Sequence, residues 1–184
     1  TDSVHVVFGD ATGADVSIAA LNGTTGFTVT GLELINTGSF NVGTVGDLDN
    51  DGIDDILLGR FGPDEDGIAS GDLVVMRGTS TVQPASFDID DLDASETLVF
   101  TGLSANVAST VSVAGNFDIN GDGIDDLVIG AALDDTAGNN AGAVYVVFGD
   151  SGIADTVDLT ALNGTNGFMI EGLAADDQLG VVVQ

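Results

Sequence analysis

The sequence predicts an all-β fold of four-stranded antiparallel sheets in a repeat of roughly 70 residues, arranged as propeller blades, with an incomplete ring in this stretch of chain. Three features predict it. An acidic pattern occurs twice, as DLDNDGIDD at 47–55 and DINGDGIDD at 118–126. Flanking segments recur at about twice that interval: VHVVFGD at 4–10 returns as VYVVFGD at 144–150, and LNGTTGFTVTGL at 21–32 returns as LNGTNGFMIEGL at 162–173. Between turns rich in Gly and Asp lie short, branched, apolar runs without a helical period. Sheets repeating at such intervals pack face to face around an axis in propellers; an open stack of the same sheets is the alternative, since curvature is not written in the repeat.

In chain order, residues 1–35 hold the last two strands of a preceding unit, at 4–8 and 27–30. A complete unit at 36–105 has strands at 40–45, 56–59, 73–77 and 97–101. A second at 106–174 has strands at 110–114, 127–130, 144–148 and 168–171. Residues 175–184 begin a further unit with a strand in LGVVVQ at 179–184, which makes eleven strands and no helix. The runs that follow the acidic loops, ILLG and LVIG, are apolar throughout, as expected of middle strands covered on both faces. Loop and later strand keep a fixed register, since Gly78 follows Asp47 at the same interval as Gly149 follows Asp118.

The two loops place oxygen-bearing side chains at positions 1, 3, 5 and 9, and a Gly at position 6 where the backbone must turn, with nothing positive nearby. That is a cage for a hard cation. Two Ca²⁺ sites are expected. The first is built from Asp47, Asp49, Asp51 and Asp55 with the carbonyl of Ile53, the second from Asp118, Asn120, Asp122 and Asp126 with the carbonyl of Ile124. Mg²⁺ fits worse, because it demands a rigid octahedron with retained waters. An EF-hand is excluded, since position 12 is Leu58 or Ile129 instead of a ligating Glu and a strand-like run follows each loop. With four carboxylates in the first cage against three in the second, cation removal is expected to disturb the first more.

The chain has 30 acidic residues against two basic ones, Arg60 and Arg77, and a formal net charge of -28. Nucleic acid and anionic membrane surfaces are repelled as partners. Two bound Ca²⁺ ions would bring the charge only to about -24, so screening by a saline medium is also expected. There is no Cys, which excludes disulfides, thiol catalysis and Cys-ligated zinc. No apolar run is long enough to cross a membrane as a helix, and no signal peptide is seen. The chain reads as a piece of a longer one.

The DxDxDGxxD loops, the strands after them that end in Gly (ILLGRFGP and LVIGAA), the run GAVYVVFG, and LNGTNGFMIEGLAADDQLG resemble the FG-GAP repeats of integrin α-subunit propellers and their bacterial relatives. The resemblance covers nearly the whole chain. It implies Ca²⁺ held between the first and second strands of a blade, and a complete ring of seven blades. The chain departs from the family pattern before the loops, where the Phe-Gly pair is replaced around Phe40 and Asn106 and reduced to Leu179 and Gly180. Only Pro63 remains of the Gly-Ala-Pro turn, and Asn116 and Phe117 are extra residues ahead of the second loop.

Other residues are assigned to structure. His5, the one histidine, shares its strand position with Tyr145 and Val74, which argues packing over catalysis. Arg60 and Arg77 are expected to pair with carboxylates. Asn22 and Asn163 begin Asn-Gly-Thr sequons but read as tight-turn residues. The acidic stretches at 62–67 and 87–93 lack the loop register and read as solvated loops, while Asp54 and Asp125, at position 8, should point away from the ion. No catalytic set assembles, so the chain is not expected to be an enzyme. The expected role is a Ca²⁺-binding extracellular module for binding or scaffolding in adhesion or surface and matrix assembly. The alternative is an ancillary propeller of a larger secreted phospholipase or polysaccharide-degrading enzyme. Expected partners are other repeats of a longer parent chain or copies of itself, with an extracellular protein or glycan as ligand. Unpaired sheet edges at both ends make such partners necessary.

Overall fold

The computed structural model describes residues 2–9, 15–32, 42–59, 73–103 and 111–184. Twelve strands and three single-turn 3-10 helices are found there, with no α-helix among the described residues. The fold class is as expected from the repeat. Phe40, Arg60, Pro63, Asn106 and the acidic stretch at 62–67 lie outside the described residues.

The chain divides into two compact units, Thr1–Glu33 with Thr79–Asp93, and Leu34–Gly78 with Ala94–Gln184. In the first, β1 (Asp2–Val7) pairs antiparallel with β2 (Gly26–Leu32). The second holds β3 (Val42–Gly46), β4 (Asp55–Gly59) and β5 (Leu73–Met76). In the first unit β6 (Ser86–Asp88) lies on the outer edge of β2, so the sheet order is β1-β2-β6. The second unit continues with β7 (Thr97–Thr101), β8 (Val111–Phe117), β9 (Asp126–Ala131) and β10 (Ala143–Val147). It ends with β11 (Thr156–Asp158) and β12 (Gly167–Glu171). Its sheets run β11-β7-β5-β4-β3 and β12-β10-β9-β8.

Two strands were not expected, and one expected strand is absent. β6 and β11 are three residues each, too short for alternation to show, and they pair parallel with β2 and β7 of the preceding repeat. The stretch at 87–93 is therefore no solvated loop. It contains most of β6 and a 3-10 turn in which Asp88 caps by accepting the amide of Asp90, while Ile89 is buried. At 179–184 the structure has a single bridge, Leu179 to Gly142, in place of a strand. Val181 and Val182 are exposed and Val183 is half-buried.

Within the second unit the two sheets share one core. Val45, Leu57, Val75, Leu98 and Phe100 from one sheet pack with Leu127, Ile129, Tyr145 and Val147 from the other. All of β5 is buried, as its continuous apolar sequence requires. The sheets approach closely where Gly115 of β8 lies on Val45 of β3: a Cβ added there would come within 2.6 Å of the Val45 Cα. Asn116 has a φ of 67° inside a β-bulge between Ala114 and Phe117, and that bulge absorbs the two extra residues ahead of the second loop. Tyr145 is buried, with its hydroxyl donating to the buried carboxylate of Asp134 at 2.9 Å, and burial holds the phenol well above its usual pKa. His5 departs from the packing expected of it, because it is exposed, with Nδ1 2.9 Å from the hydroxyl of Thr28 on the neighbouring strand.

Candidate metal centre

Each acidic loop connects two antiparallel neighbours, β3 to β4 and β8 to β9, and each is folded by the same hydrogen bonds. At position 1, Asp47 accepts the amides of Asp51 at 2.9 Å and Gly52 at 2.8 Å. Asp118 likewise accepts those of Asp122 at 3.1 Å and Gly123 at 2.9 Å. At position 3, Asp49 and Asn120 each accept the amide of the position-5 residue. At position 5, Asp51 and Asp122 accept the amides of Ile53 and Ile124 at 2.8 and 2.9 Å. Such short-range acceptor turns wrap the backbone so that several oxygens converge. The backbone conforms by taking positive φ at position 6, where Gly52 and Gly123 stand, and also at position 4, where Asn50 has φ 58° and Gly121 has φ 81°.

In the first loop, ligand oxygens of Asp47, Asp49 and Asp51 lie within 4.8 Å of one another. That spacing matches a Ca²⁺ shell, whose oxygens at about 2.4 Å from the ion stand at most about 5 Å apart. The donor set fits the ion. In the second loop Asn120 replaces one carboxylate, and its side-chain amide donates to Asp122 at 2.9 Å, which draws positions 3 and 5 together.

Position 9 is different. Asp55 and Asp126 are fully buried beneath the loops, and both oxygens of each are engaged by backbone amides. Asp55 accepts from Leu48 at 3.0 Å and Gly78 at 2.7 Å. Asp126 accepts from Ile119 at 2.6 Å, Asn120 at 3.3 Å and Gly149 at 3.0 Å. The fixed spacing of Gly78 and Gly149 from the loops thus has a physical cause. Each supplies an amide to position 9, and a Cβ there would come within 2.7 Å of the Ile53 carbonyl oxygen or 2.2 Å of that of Asp125.

Burial raises the Asp55 carboxyl to about 6, with the Asp49 and Asp47 charges adding to it and the Gly78 and Leu48 amides opposing. A raised carboxyl contributes stability that is present below the unfolded value near 4 and lost as pH rises through about 6. In chelator, the protein is therefore expected to be more stable at pH 5 than at pH 7. The gain should shrink in Asp55→Asn; equal gains in wild type and variant, followed by thermal melts, would assign it elsewhere.

The expectation that nothing positive lies near the loops fails at the first one. Arg77 reaches Asp49 with Nη1 at 2.6 Å and Asp155 with Nη2 at 3.0 Å, tying the loop to the segment before β11. The position that matches Arg77 in the next repeat is Phe148, beside the loop that has Asn120 in place of Asp49. The Arg77 guanidinium, shared with Asp155, therefore offsets part of the additional carboxylate of the first loop. Arg77→Gln is expected to lower the melting temperature in chelator at low salt and to tighten Ca²⁺ binding at the first loop several-fold, both read by calorimetry. Unchanged affinity would show that the guanidinium does not compete with the ion.

The loops also meet each other. Asp125, at position 8 of the second, turns away from its own cage as expected and accepts the Asp47 amide at 3.0 Å, while the amide of Asp150 donates to the Leu48 carbonyl at 3.0 Å. A cleft of about 540 Å³ opens beside the second loop, lined in part by Asn120, Asp122, Phe148, Gly149 and Asn166. The Asn22 and Asn163 turns are as expected: Asn22 accepts the amides of Thr24 and Thr25, and Asn163 that of Thr165.

Residues 110–147 match the family model described as FG-GAP repeat. This segment is an FG-GAP repeat. It spans β8, the second loop, β9 and β10, so the family assignment falls on the loop whose geometry has just been given. The first loop with β3, β4 and β5 has the same arrangement as that FG-GAP repeat, one repeat earlier in the chain. No curated protein matches the chain at a significant level.

Proposed function

We propose that this chain is a Ca²⁺-stabilised, propeller-like binding and scaffold module working outside cells, in adhesion or in surface and matrix assembly. One observation carries the reading: two loops at equivalent places in successive repeats fold by the same hydrogen bonds, and the first gathers its oxygens at the spacing a Ca²⁺ ion needs. Asp47, Asp49 and Asp51 would hold one ion, and Asp118, Asn120 and Asp122 the other, with Asp55 and Asp126 and the carbonyls of Ile53 and Ile124 as further oxygens. The ion would neutralise converging carboxylates and fix the turn between two strands. Loops of this type need Ca²⁺ at levels found outside cells. Among the described residues no helix is long and apolar enough to cross a membrane. The chain performs no chemistry of its own in this reading: its histidine is an exposed strand residue bonded to a threonine, and its buried tyrosine is sealed against an aspartate.

Isothermal titration calorimetry tests it. Wild type is expected to take up two Ca²⁺ per chain and Mg²⁺ far more weakly, with Asp51→Ala and Asp122→Ala each taking up one. Absence of any Ca²⁺ heat or uptake in wild type would sink the proposal.

A further inference from the structure

The two acidic loops, both within the second unit, are tied together by two separate links. The first runs through a side chain. Asp125, at position 8 of the second loop, accepts the amide of Asp47 at 3.0 Å. Asp47 is position 1 of the first loop, and its own carboxylate accepts the amides of Asp51 and Gly52. The approach dictates the residue before it: Gly46 has a φ of 79°, and a Cβ there would stand 2.2 Å from Oδ2 of Asp125.

The second link is main chain, in the segment between β10 and β11. The Gly149 amide donates to Asp126, position 9 of the second loop, at 3.0 Å. The next amide, of Asp150, donates to the carbonyl of Leu48, position 2 of the first loop, at 3.0 Å, and the Leu48 amide donates to Asp55, position 9 of that loop, at 3.0 Å. Hydrogen bonds and main chain thus run unbroken from one buried carboxylate to the other. Gly149 sits at the crossing, where a Cβ would come within 2.2 Å of the Asp125 carbonyl oxygen and 2.9 Å of that of Leu48. Both links leave the second loop at adjacent residues, Asp125 and Asp126, and both arrive at the opening residues of the first, Asp47 and Leu48.

We propose, on the reading of both loops as Ca²⁺ sites, that the two fill cooperatively, Asp125 transmitting the occupancy of either loop to the other while the Gly149–Asp150 segment holds them in register. Repulsion among converging carboxylates loosens an empty loop, and a bound cation fixes the turn, Asp125 included. A fixed Asp125 holds the acceptor for the Asp47 amide in place, so part of the ordering that the first loop needs is done before its own ion arrives. The same link acts in reverse, and by thermodynamic necessity with the same factor, expected to be about fivefold. The positive charge of one filled loop opposes filling of the other. Dissolved salt screens that opposition and leaves the hydrogen bonds in place, so the cooperativity grows with NaCl. Asp125 is half-buried, turned away from its own cage, and counts among the ligands of neither loop.

Calorimetric Ca²⁺ titration of the whole chain in NaCl tests this. Wild type is expected to take up two ions, the second about fivefold more tightly than independent sites allow. Asp122→Ala should leave the first loop weaker than in wild type by that factor, and Asp51→Ala should leave the second weaker by the same factor. Asp125→Ala should still take up two ions, but nearly independently. Asp125→Asn keeps an oxygen for the Asp47 amide and should retain the cooperativity. Amide exchange gives a readout apart from affinity: in Asp51→Ala, filling the second loop should slow exchange at the Asp47 amide, and adding Asp125→Ala should abolish the slowing. Wild-type sites that fill independently, single-site variants as tight as the intact sites, or cooperativity undiminished in Asp125→Ala would each overturn the proposal and leave the Ca²⁺ reading standing. A wild type that takes up no Ca²⁺ would end both.

Discussion

Chelation is expected to lower the melting temperature of the wild-type chain by roughly 5–10 °C for each cation site lost. At a free Ca²⁺ concentration about 100 times the dissociation constant, linkage supplies about 2.7 kcal/mol per site, and in a domain of this size each kcal/mol moves the midpoint by about 2–4 °C. The source is electrostatic: three side chains in the first loop bring their oxygens within 4.8 Å of one another, and the repulsion that Arg77 does not offset is relieved by a bound cation, salt or protons. Asp51→Ala and Asp122→Ala should each lower the midpoint in Ca²⁺ by one site's share and have little effect in chelator. The two losses should differ less than four carboxylates against three would suggest, because Arg77, shared with Asp155, offsets part of the additional carboxylate of the first loop. Calorimetric melts indifferent to chelator would remove the cations from any account of stability.

Asp126→Ala is expected to cost roughly 2–5 kcal/mol in chelator, where Asp122→Ala is silent. The carboxylate of Asp126 is buried and satisfies the amides of Ile119, Asn120 and Gly149; a buried donor stranded by its loss, as at Gly149, costs about 1–3 kcal/mol, and the part-buried amides of Ile119 and Asn120 cost less. Asp55→Ala should cost less. It strands the amides of Leu48 and Gly78, but it also removes a charge that burial and the Asp49 and Asp47 carboxylates already penalise at neutral pH. Urea denaturation in chelator at pH 7 separates these terms. If both position-9 variants unfold at the wild-type midpoint, the two carboxylates do nothing beyond ligating an ion.

Much of this was legible in the sequence because the repeat writes it more than once. The spacing of Asp47 from Asp118 located both loops, and the apolar runs after them located β4 and β9 to within a residue. Position 6 announced its turn through glycine, and position 4 does so too on comparison of Asn50 with Gly121. Arg77 was legible as a partner for carboxylates but not as a neighbour of Asp49, since 28 residues separate them and only the pairing of β4 with β5 brings the end of β5 back to the loop.

Local chemistry by itself determined the loops, the four-strand rhythm and the all-β class, because side-chain acceptors two to five residues from their donors and alternating or continuous apolar runs act over short range. Tertiary structure alone decided three things. It made position 9 a buried anchor for distant glycine amides, it set Asp125 of one loop on the backbone of the other, and it turned acidic three-residue segments into parallel edge strands. Each depends on a partner more than twenty residues away, and a three-residue strand has no pattern of its own: it becomes a strand only when a neighbouring edge offers it hydrogen bonds.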